Sequence, residues 1–444
     1  MPTTTFLHMA DVHLGYQQYQ SEERLKDFHR AFRQATDDAI AKKVDFVLIA
    51  GDLFHKASIN PITLLQAKRP LDQLRQANIP TFAIKGNHDG ARYGSQFSWL
   101  HYLEADSCLT MLDPFSPNGF ELTPVNGTRG GYIDIKGIRI IGLPYIGAST
   151  EPHLLDLPTA LQQLPQDNIG FTVLMGHFGL EGEVPGLNGA ISHNIIAPLR
   201  KHVNYLALGH VHKPIERDGW VYNPGSLEAC GMDEREWRGG WYHVTVDTNS
   251  GTHEVKHIKS KRRPLHRIKI EVDKFKDPPA LYDAVRIELE AHRPALALEP
   301  MKPVVEIWLD GILAFDRHDL DTGYVEQILI EVIDPLKARV RNNTRATEFE
   351  IAPDEYLDRA ELEQHVFTDL IIRDSRYRDQ AETWAKLMRE VKVMSLADNS
   401  PEAIVEAISR RMSLLDAETK NGVDSELVSK LAELKDKLEA KNVD

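Results

Sequence analysis

Five short polar segments, each just past an apolar run of strand character, constrain this chain more than any other feature. They are Asp11-Val12-His13, Gly51-Asp52, Gly86-Asn87-His88-Asp89, Gly176-His177 and Gly209-His210-Val211-His212. The runs ahead of them are Thr4–Met9, Phe46–Ile49, Thr81–Ile84, Phe171–Met175 and Tyr205–Leu208, and a further run lies at Ile138–Ile141. All are short and β-branched or aromatic, and they alternate with helix-period segments such as Phe28, Phe32, Ala35 and Ala39, the pattern of an α/β layered domain. In open α/β sheets ligands bind beyond the carboxyl ends of the strands, so residues far apart in sequence can converge there.

The residue types fit a metal centre. In extended backbone the side chains of i and i+2 project to one side, roughly 6–7 Å apart. That is too far for a tight pair on one ion unless the backbone bends, but it suits two neighbouring ions, so Asp11 with His13, and His210 with His212, are expected ligands. The glycines before Asp52, Asn87, His177 and His210 let the chain turn sharply and let a phosphate approach the backbone. A pair of ions about 3.5–4 Å apart needs a bridging ligand, and Asp52 is the candidate. Two divalent cations set against Asp11 and Asp52 leave a positive excess that matches a phosphodiester and an attacking hydroxide. A mix of Asp, Asn and His without thiolate favours a borderline or hard ion, Mn²⁺ first, with Mg²⁺, Fe²⁺ or Zn²⁺ as alternatives. A lone histidine such as His8 or His101 reads as a packed or surface residue.

At 444 residues the chain holds two to four domains. Residues 1–264 read as the layered domain. Residues 265–352 read as a small α+β unit with strands at His266–Val272, Val304–Leu309 and Ala338–Arg341 and helices at Ala280–Ala291 and Asp321–Ile333. Residues 353–444 read as a helical tail, with Ser400-Pro401 opening a helix striped by Val405, Ile408, Met412 and Leu415, and a second stripe at Leu427, Leu431, Leu434 and Leu438. These stripes either fold back on the chain or dock a partner's helix. No apolar run approaches the ~18–20 residues that span a bilayer, no secretory leader is evident, and two cysteines cannot make a disulfide framework, so a cytoplasmic protein is expected. The formal charge of −14 argues against non-specific attraction to nucleic acid. Half of that excess lies in Asp354–Asp444, with 21 acidic and 14 basic side chains, whereas Lys256, Lys259, Lys261, Arg262, Arg263, Arg267 and Lys269 form a basic cluster open to a polyanion.

The ordered set Asp-x-His, Gly-Asp, Gly-Asn-His-Asp, Gly-His and Gly-His-x-His is similar to that of the calcineurin-like metallophosphoesterase superfamily. Within it, Ala10–Gly15, Gly51–His55 and Gly209–Pro214 resemble the SbcD nucleases, bacterial counterparts of the meiotic-recombination-eleven nuclease of DNA break repair. The resemblance covers residues 1 to about 260. It implies one metal held by Asp11, His13, Asp52 and His212 and another by Asp52, Asn87, His177 and His210. It also implies His88 as catalytic acid, Asp89 orienting His88 or a ligand, and His55 assisting cleavage. Arg92 and Tyr93 would contact DNA. The implied reaction is hydrolysis of DNA phosphodiesters: 3′ to 5′ exonuclease action on duplex ends and endonuclease action on single strands or hairpins. The implied partners are a second copy of the chain, joined through the helices containing Leu64-Leu65 and Trp99-Leu100-Leu103, and an SbcC-type ATPase, a Rad-fifty relative, bound by the tail. The alternatives are a phosphodiesterase or phosphatase acting on small nucleotides, and a non-catalytic scaffold.

Overall fold

The computed structural model describes residues 3–91, 97–116, 119–127, 130–165, 168–187, 189–346, 359–372, 377, 380–396, 401 and 403–409. The chain divides into two compact units, Met1–Gly311 with His318–Thr344, and Ile312–Arg317 with Arg345–Asp444. Arg92 and Tyr93 lie outside the described residues.

The layered part of the first unit contains strands β1 (Thr3–Met9), β2 (Phe46–Ala50), β3 (Thr81–Ile84), β4 (Thr110–Met111), β5 (Phe115–Ser116), β6 (Gly119–Phe120), β7 (Tyr132–Ile135), β8 (Ile138–Leu143), β9 (Phe171–His177), β10 (Tyr205–Gly209), β11 (Ile215–Arg217), β12 (Val221–Asn223), β13 (Gly240–Asp247) and β14 (Thr252–Lys259). Apart from the small β5–β6 hairpin they form two six-stranded sheets, ordered β14-β13-β1-β2-β3-β4 and β11-β12-β10-β9-β8-β7. Strands β1, β2 and β3 run parallel in the first sheet, as do β8, β9 and β10 in the second.

Alternation along the strands sorts side chains between layers. Phe6, Phe46, Leu48 and Phe82 meet Val173, Met175 and Tyr205 between the two sheets. On the outer face of the first sheet, Leu7, Met9, Val47 and Ile49 pack against Phe32 and Ala35 of helix α1 (Glu22–Lys42), Leu71 and Leu74 of α2 (Pro61–Gln76), and Leu100 and Leu103 of α3 (Trp99–Ala105). On the outer face of the second, Ile141, Leu174 and Leu206 pack against Leu154, Leu157 and Leu161 of α4 (Thr150–Gln162). The result is the expected β-sandwich flanked by helices. Local chemistry starts the helices where they are needed. The Asn60 side chain accepts from the Thr63 amide with Pro61 in the first turn of α2, an arrangement that stabilises a helix by about 1 kcal/mol.

His8 falls on the inner face of β1. Its Nε2–H donates to the Leu208 carbonyl at 3.1 Å and its Nδ1 accepts from the Tyr205 hydroxyl at 3.0 Å. Burial lowers its pKa to about 3, so it is a neutral packed residue.

The small α+β unit follows as β15 (Leu265–Glu271), α6 (Pro278–Ala297), β16 (Val304–Leu313), α7 (Thr322–Ile333) and β17 (Lys337–Ala346), after a one-turn helix α5 (His193–Ile196) earlier in the chain. Its sheet order is β15-β16-β17. Here the basic cluster reads differently from its sequence. Arg262 donates to the carbonyls of Trp237 and Leu227 at 2.7 and 3.3 Å. Arg263 pairs with Asp27 at 2.5 Å, Arg267 with Glu306 at 2.6 Å and Lys269 with Asp310 at 2.9 Å. Four of the seven cations thus serve internal contacts, which weakens the case for a polyanion track along this stretch.

In the second unit, α8 (Arg359–Ile372) and α9 (Ala381–Leu396) are tied by Lys392 to Glu363 at 2.8 Å and by Arg389 to the Ala360 carbonyl at 3.1 Å. Val405 and Ile408 lie on a helical run over 403–409; Ser400, Met412, Leu415, Leu427, Leu431, Leu434 and Leu438 lie outside the described residues. Among the described residues no helix is long and apolar enough to cross a membrane.

Candidate metal centre

The polar segments converge at one end of the sandwich, where the carboxyl edges of both sheets meet. Segments 11–13, 51–52 and 86–89 come from the first sheet, and His177, His210 and His212 from the second. The loops after β1 and β2 are zipped together: the amides of Val12 and His13 donate to the Asp52 carbonyl at 2.9 and 3.0 Å, and that of Leu14 donates to the Leu53 carbonyl at 2.9 Å. The backbone here is not extended. Asp11, His13, Asp52 and His210 have φ of 51°, 51°, 54° and 87°, left-handed conformations that non-glycine residues adopt at a cost and that cluster at functional sites. The i, i+2 spacing in extended chain therefore does not describe Asp11 and His13; the bend brings them inward.

Asp52 lies at the middle of the cluster. Its Oδ2 stands 3.4 Å from His177 Nε2 and 3.9 Å from His13 Nε2, while its Oδ1 accepts from the His88 amide at 2.8 Å. Asp11 accepts from the His210 amide at 3.0 Å, tying the two sheets across the rim. The Asn87 side-chain oxygen lies 3.0 Å from both His177 Nε2 and His210 Nδ1. On the other flank, the Nε2 atoms of His13 and His212 face each other at 3.0 Å. The rings are aimed from behind. His177 Nδ1–H donates to the Ala50 carbonyl at 2.8 Å and His212 Nδ1–H to Glu234 at 2.8 Å, which turns each Nε2 toward the cluster. A Cβ on Gly51 would overlap the His177 imidazole, and one on Gly86 would overlap the Asp52 carboxylate, so both positions require glycine.

The electrostatics are those of crowded donors. Burial, countered in part by neighbouring imidazoles, pushes the Asp11 carboxyl up to about 6. Burial also acts to raise Asp52, but the charge and hydrogen bond of His177 hold it below the usual carboxylate range. Against its own burial, His177 is drawn up to about 9 by Asp52 and Asp11. Burial and the charge of His177 take His210 down to about 4, and burial with the charge of His212 takes His13 well below the ordinary value. Two buried carboxylates, an amide oxygen and converging imidazole nitrogens fit divalent cations, which would displace the extra proton on His177 and separate the facing nitrogens.

His88 Nδ1–H donates to the His55 carbonyl at 2.7 Å, and its ring lies 4.9 Å from that of His13. His55 stacks on Tyr16 at 3.8 Å between centroids and on His88 at 5.2 Å. Asp89 is buried and accepts from the amides of Phe54, Gly86 and Leu53 at 2.9, 3.0 and 3.2 Å. It holds the loop of Asn87 and His88 against the loop of Asp52, and its hydrogen bonds are to backbone, not to His88. Sequence reasoning missed Glu234, Tyr145, which stacks on His210 at 5.9 Å, and Cys230, which shares a ligand-sized cluster with His13 and His212. Tyr145 follows the end of β8 but is not a ligand type, and Glu234 and Cys230 lie in the segment between β12 and β13, so no local signal marks them.

Residues 4–214 match the family model for calcineurin-like phosphoesterases. Fold, site and match together make the layered domain a calcineurin-like metallophosphoesterase. Within that class, the chain's relatives carry the name DNA double-strand break repair protein Mre11. That of Archaeoglobus fulgidus is 32% identical over 241 residues, 52% of this chain and 51% of the relative. That of Aeropyrum pernix is 29% identical over 313 residues, 68% and 72% of the two chains, and that of Saccharolobus solfataricus is 32% identical over 206 residues, 46% and 49%. The chain thus spans about half the length of the first and third of these relatives.

Proposed function

We propose that this chain is a two-metal DNA nuclease of double-strand-break repair, acting 3′ to 5′ on duplex ends and endonucleolytically on single strands or hairpins. The observation that carries the reading is the placement of Asp52 between two groups of donors, Asn87, His177 and His210 on one side and His13 and His212 on the other, with Asp11 assigned to the second group by the family resemblance. The names of the relatives supply the substrate class.

Two divalent cations, Mn²⁺ by the Asp, Asn and His donors, would polarise the phosphodiester and supply a nucleophile near neutral pH. The chain's own residues do the rest. Asp52 would be held in common by both cations. Asp89 fixes the distance between the Asp52 loop and the Asn87-His88 loop. His88, its Nδ1–H committed to the His55 carbonyl, presents Nε2 to protonate the departing alkoxide. His55 holds His88 through that carbonyl and through ring stacking. Arg92 and Tyr93 contact the DNA backbone. Residues 1–264 form the nuclease domain, 265–352 a capping domain that presents DNA, and 353–444 a tail that binds an SbcC-type ATPase in the cytoplasm. The protein works as a homodimer.

Incubation of the Mn²⁺-loaded chain with linear duplex DNA and, separately, with cyclic nucleotides tests the reading. Degradation of DNA is the expected result. Turnover of cyclic nucleotides alone would replace it with a small-nucleotide phosphodiesterase, and turnover of neither would leave a scaffold.

A further inference from the structure

The strand-end motifs hold no cysteine, yet folding brings one to the centre. Cys230 lies in the segment between β12 and β13, and its sulfur, one ring nitrogen of His13 and one of His212 lie within 4.8 Å of one another. The segment is held in place: the Cys230 carbonyl accepts from Gln18 at 2.7 Å, and its amide donates to Glu234 at 2.9 Å. Glu234 also receives the Nδ1–H of His212 at 2.8 Å, so one carboxylate positions both the imidazole and the cysteine. The other flank of the site, around Asn87, His177 and His210, offers an amide oxygen beside its imidazoles, and Asp52 faces both flanks.

We propose that Cys230 is a thiolate ligand to the cation held by His13 and His212, so that the two metal positions differ in character. One is the position of Asn87, His177 and His210 with the shared Asp52, whose donors are oxygen and nitrogen. The other adds the Cys230 sulfur to His13, His212, Asp11 and the shared Asp52, and this softer donor makes it the position that takes Zn²⁺, Co²⁺ or Fe²⁺ in preference to Mn²⁺ or Mg²⁺. On binding, the Cys230 S–H bond breaks, its proton passes to solvent, and a sulfur–metal bond forms with no change of oxidation state. The inference rests on the two-metal reading above and refines it: the metal content of this flank, and with it the activity, would respond to thiophilic cations.

Co²⁺ loading of the full-length chain tests this without any assay of cleavage. The expected result is a sulfur-to-cobalt charge-transfer band in the near ultraviolet, alongside the visible ligand-field bands. Cys230→Ser and Cys230→Ala should lose the charge-transfer band and retain the visible ones. Cys108→Ser should keep both, because the Cys108 thiol sits with Asp106 and Asp72 beside helix α2. Zn²⁺ retention against a chromogenic chelator should weaken at least about tenfold in the Cys230 variants, with Mn²⁺ retention changed less than about twofold. Visible bands without charge transfer in the parent chain would overturn the thiolate ligand while leaving the two-metal reading standing. Loss of the band in Cys108→Ser would overturn it equally, and failure to bind Co²⁺ at all would overturn both.

Discussion

Asp52 and His88 are neighbours joined by one hydrogen bond, yet the roles proposed for them should separate on substitution. Asp52→Asn removes the charge shared by the two donor groups, so Mn²⁺ binding and DNA cleavage should both be lost. His88→Asn removes only the proton donor: calorimetry should show Mn²⁺ bound as in the parent, with cleavage reduced about 10²–10⁴-fold. Parental cleavage by the His88 variant would remove it from the mechanism. His8 gives a pH signature of a different kind. Folded, it titrates near 3, and unfolded near 6.5, so below 6.5 the unfolded chain takes up a proton that the folded chain refuses. Stability should therefore fall as pH drops from 6.5 toward 3, and chemical denaturation of His8→Leu should show a shallower decline over that window. The donors at this scale were legible because Asp, Asn and His follow strands or glycines in recognisable order. Glu234 and Cys230 were not, because their relation to His212 exists only through the turn between β12 and β13. The left-handed φ of Asp11 and His13 was equally hidden, since nothing in a non-glycine residue announces it.

Between elements, the buried ion network around Asp27 does the joining. Arg24 of α1 pairs with Asp27 at 2.7 Å and with Glu228 at 3.3 Å, and Arg263, next to the first strand of the small α+β unit, pairs with Asp27 through Nε and Nη2. Removing one partner strands the others without solvent. Asp27→Ala should destabilise the chain by about 3–5 kcal/mol in denaturant titrations. Burial opposes ionisation of Asp27, but Arg263, Arg24 and Arg30 hold its carboxyl below the ordinary 3.8. Its contribution is thus complete above that pH and is lost as pH falls below it, so Asp27→Asn should flatten the acid limb of the stability profile. Most elements were legible from apolar spacing, as β3 shows by matching its expected bounds, Thr81–Ile84. Strand β14 was not: it pairs with β13 along its whole length, but its exposed edge alternates charge with half-buried side chains, which reads from sequence as a basic stretch.

For the molecule as a whole, helices α2 and α3 divide the residues that were candidates for self-association. Leu100 and Leu103 are taken into the core and Leu64 and Trp99 pack against it, whereas Leu65 is 46% exposed, beside Ile62 of the same helix at 60%. A dimer formed there should be split by Ile62→Glu with Leu65→Glu, with sedimentation reporting a monomer and Mn²⁺ binding unchanged; persistence of the dimer would place the interface elsewhere. Assembly of the centre from two sheets also dictates when it can exist. A chain synthesised only as far as β9 has Asp11, His13, Asp52, Asn87 and His177 but lacks His210, and the final imidazole arrives only at position 212. The centre is therefore withheld until the second layer has been made and laid against the first, so a nascent or half-unfolded copy carries only part of it.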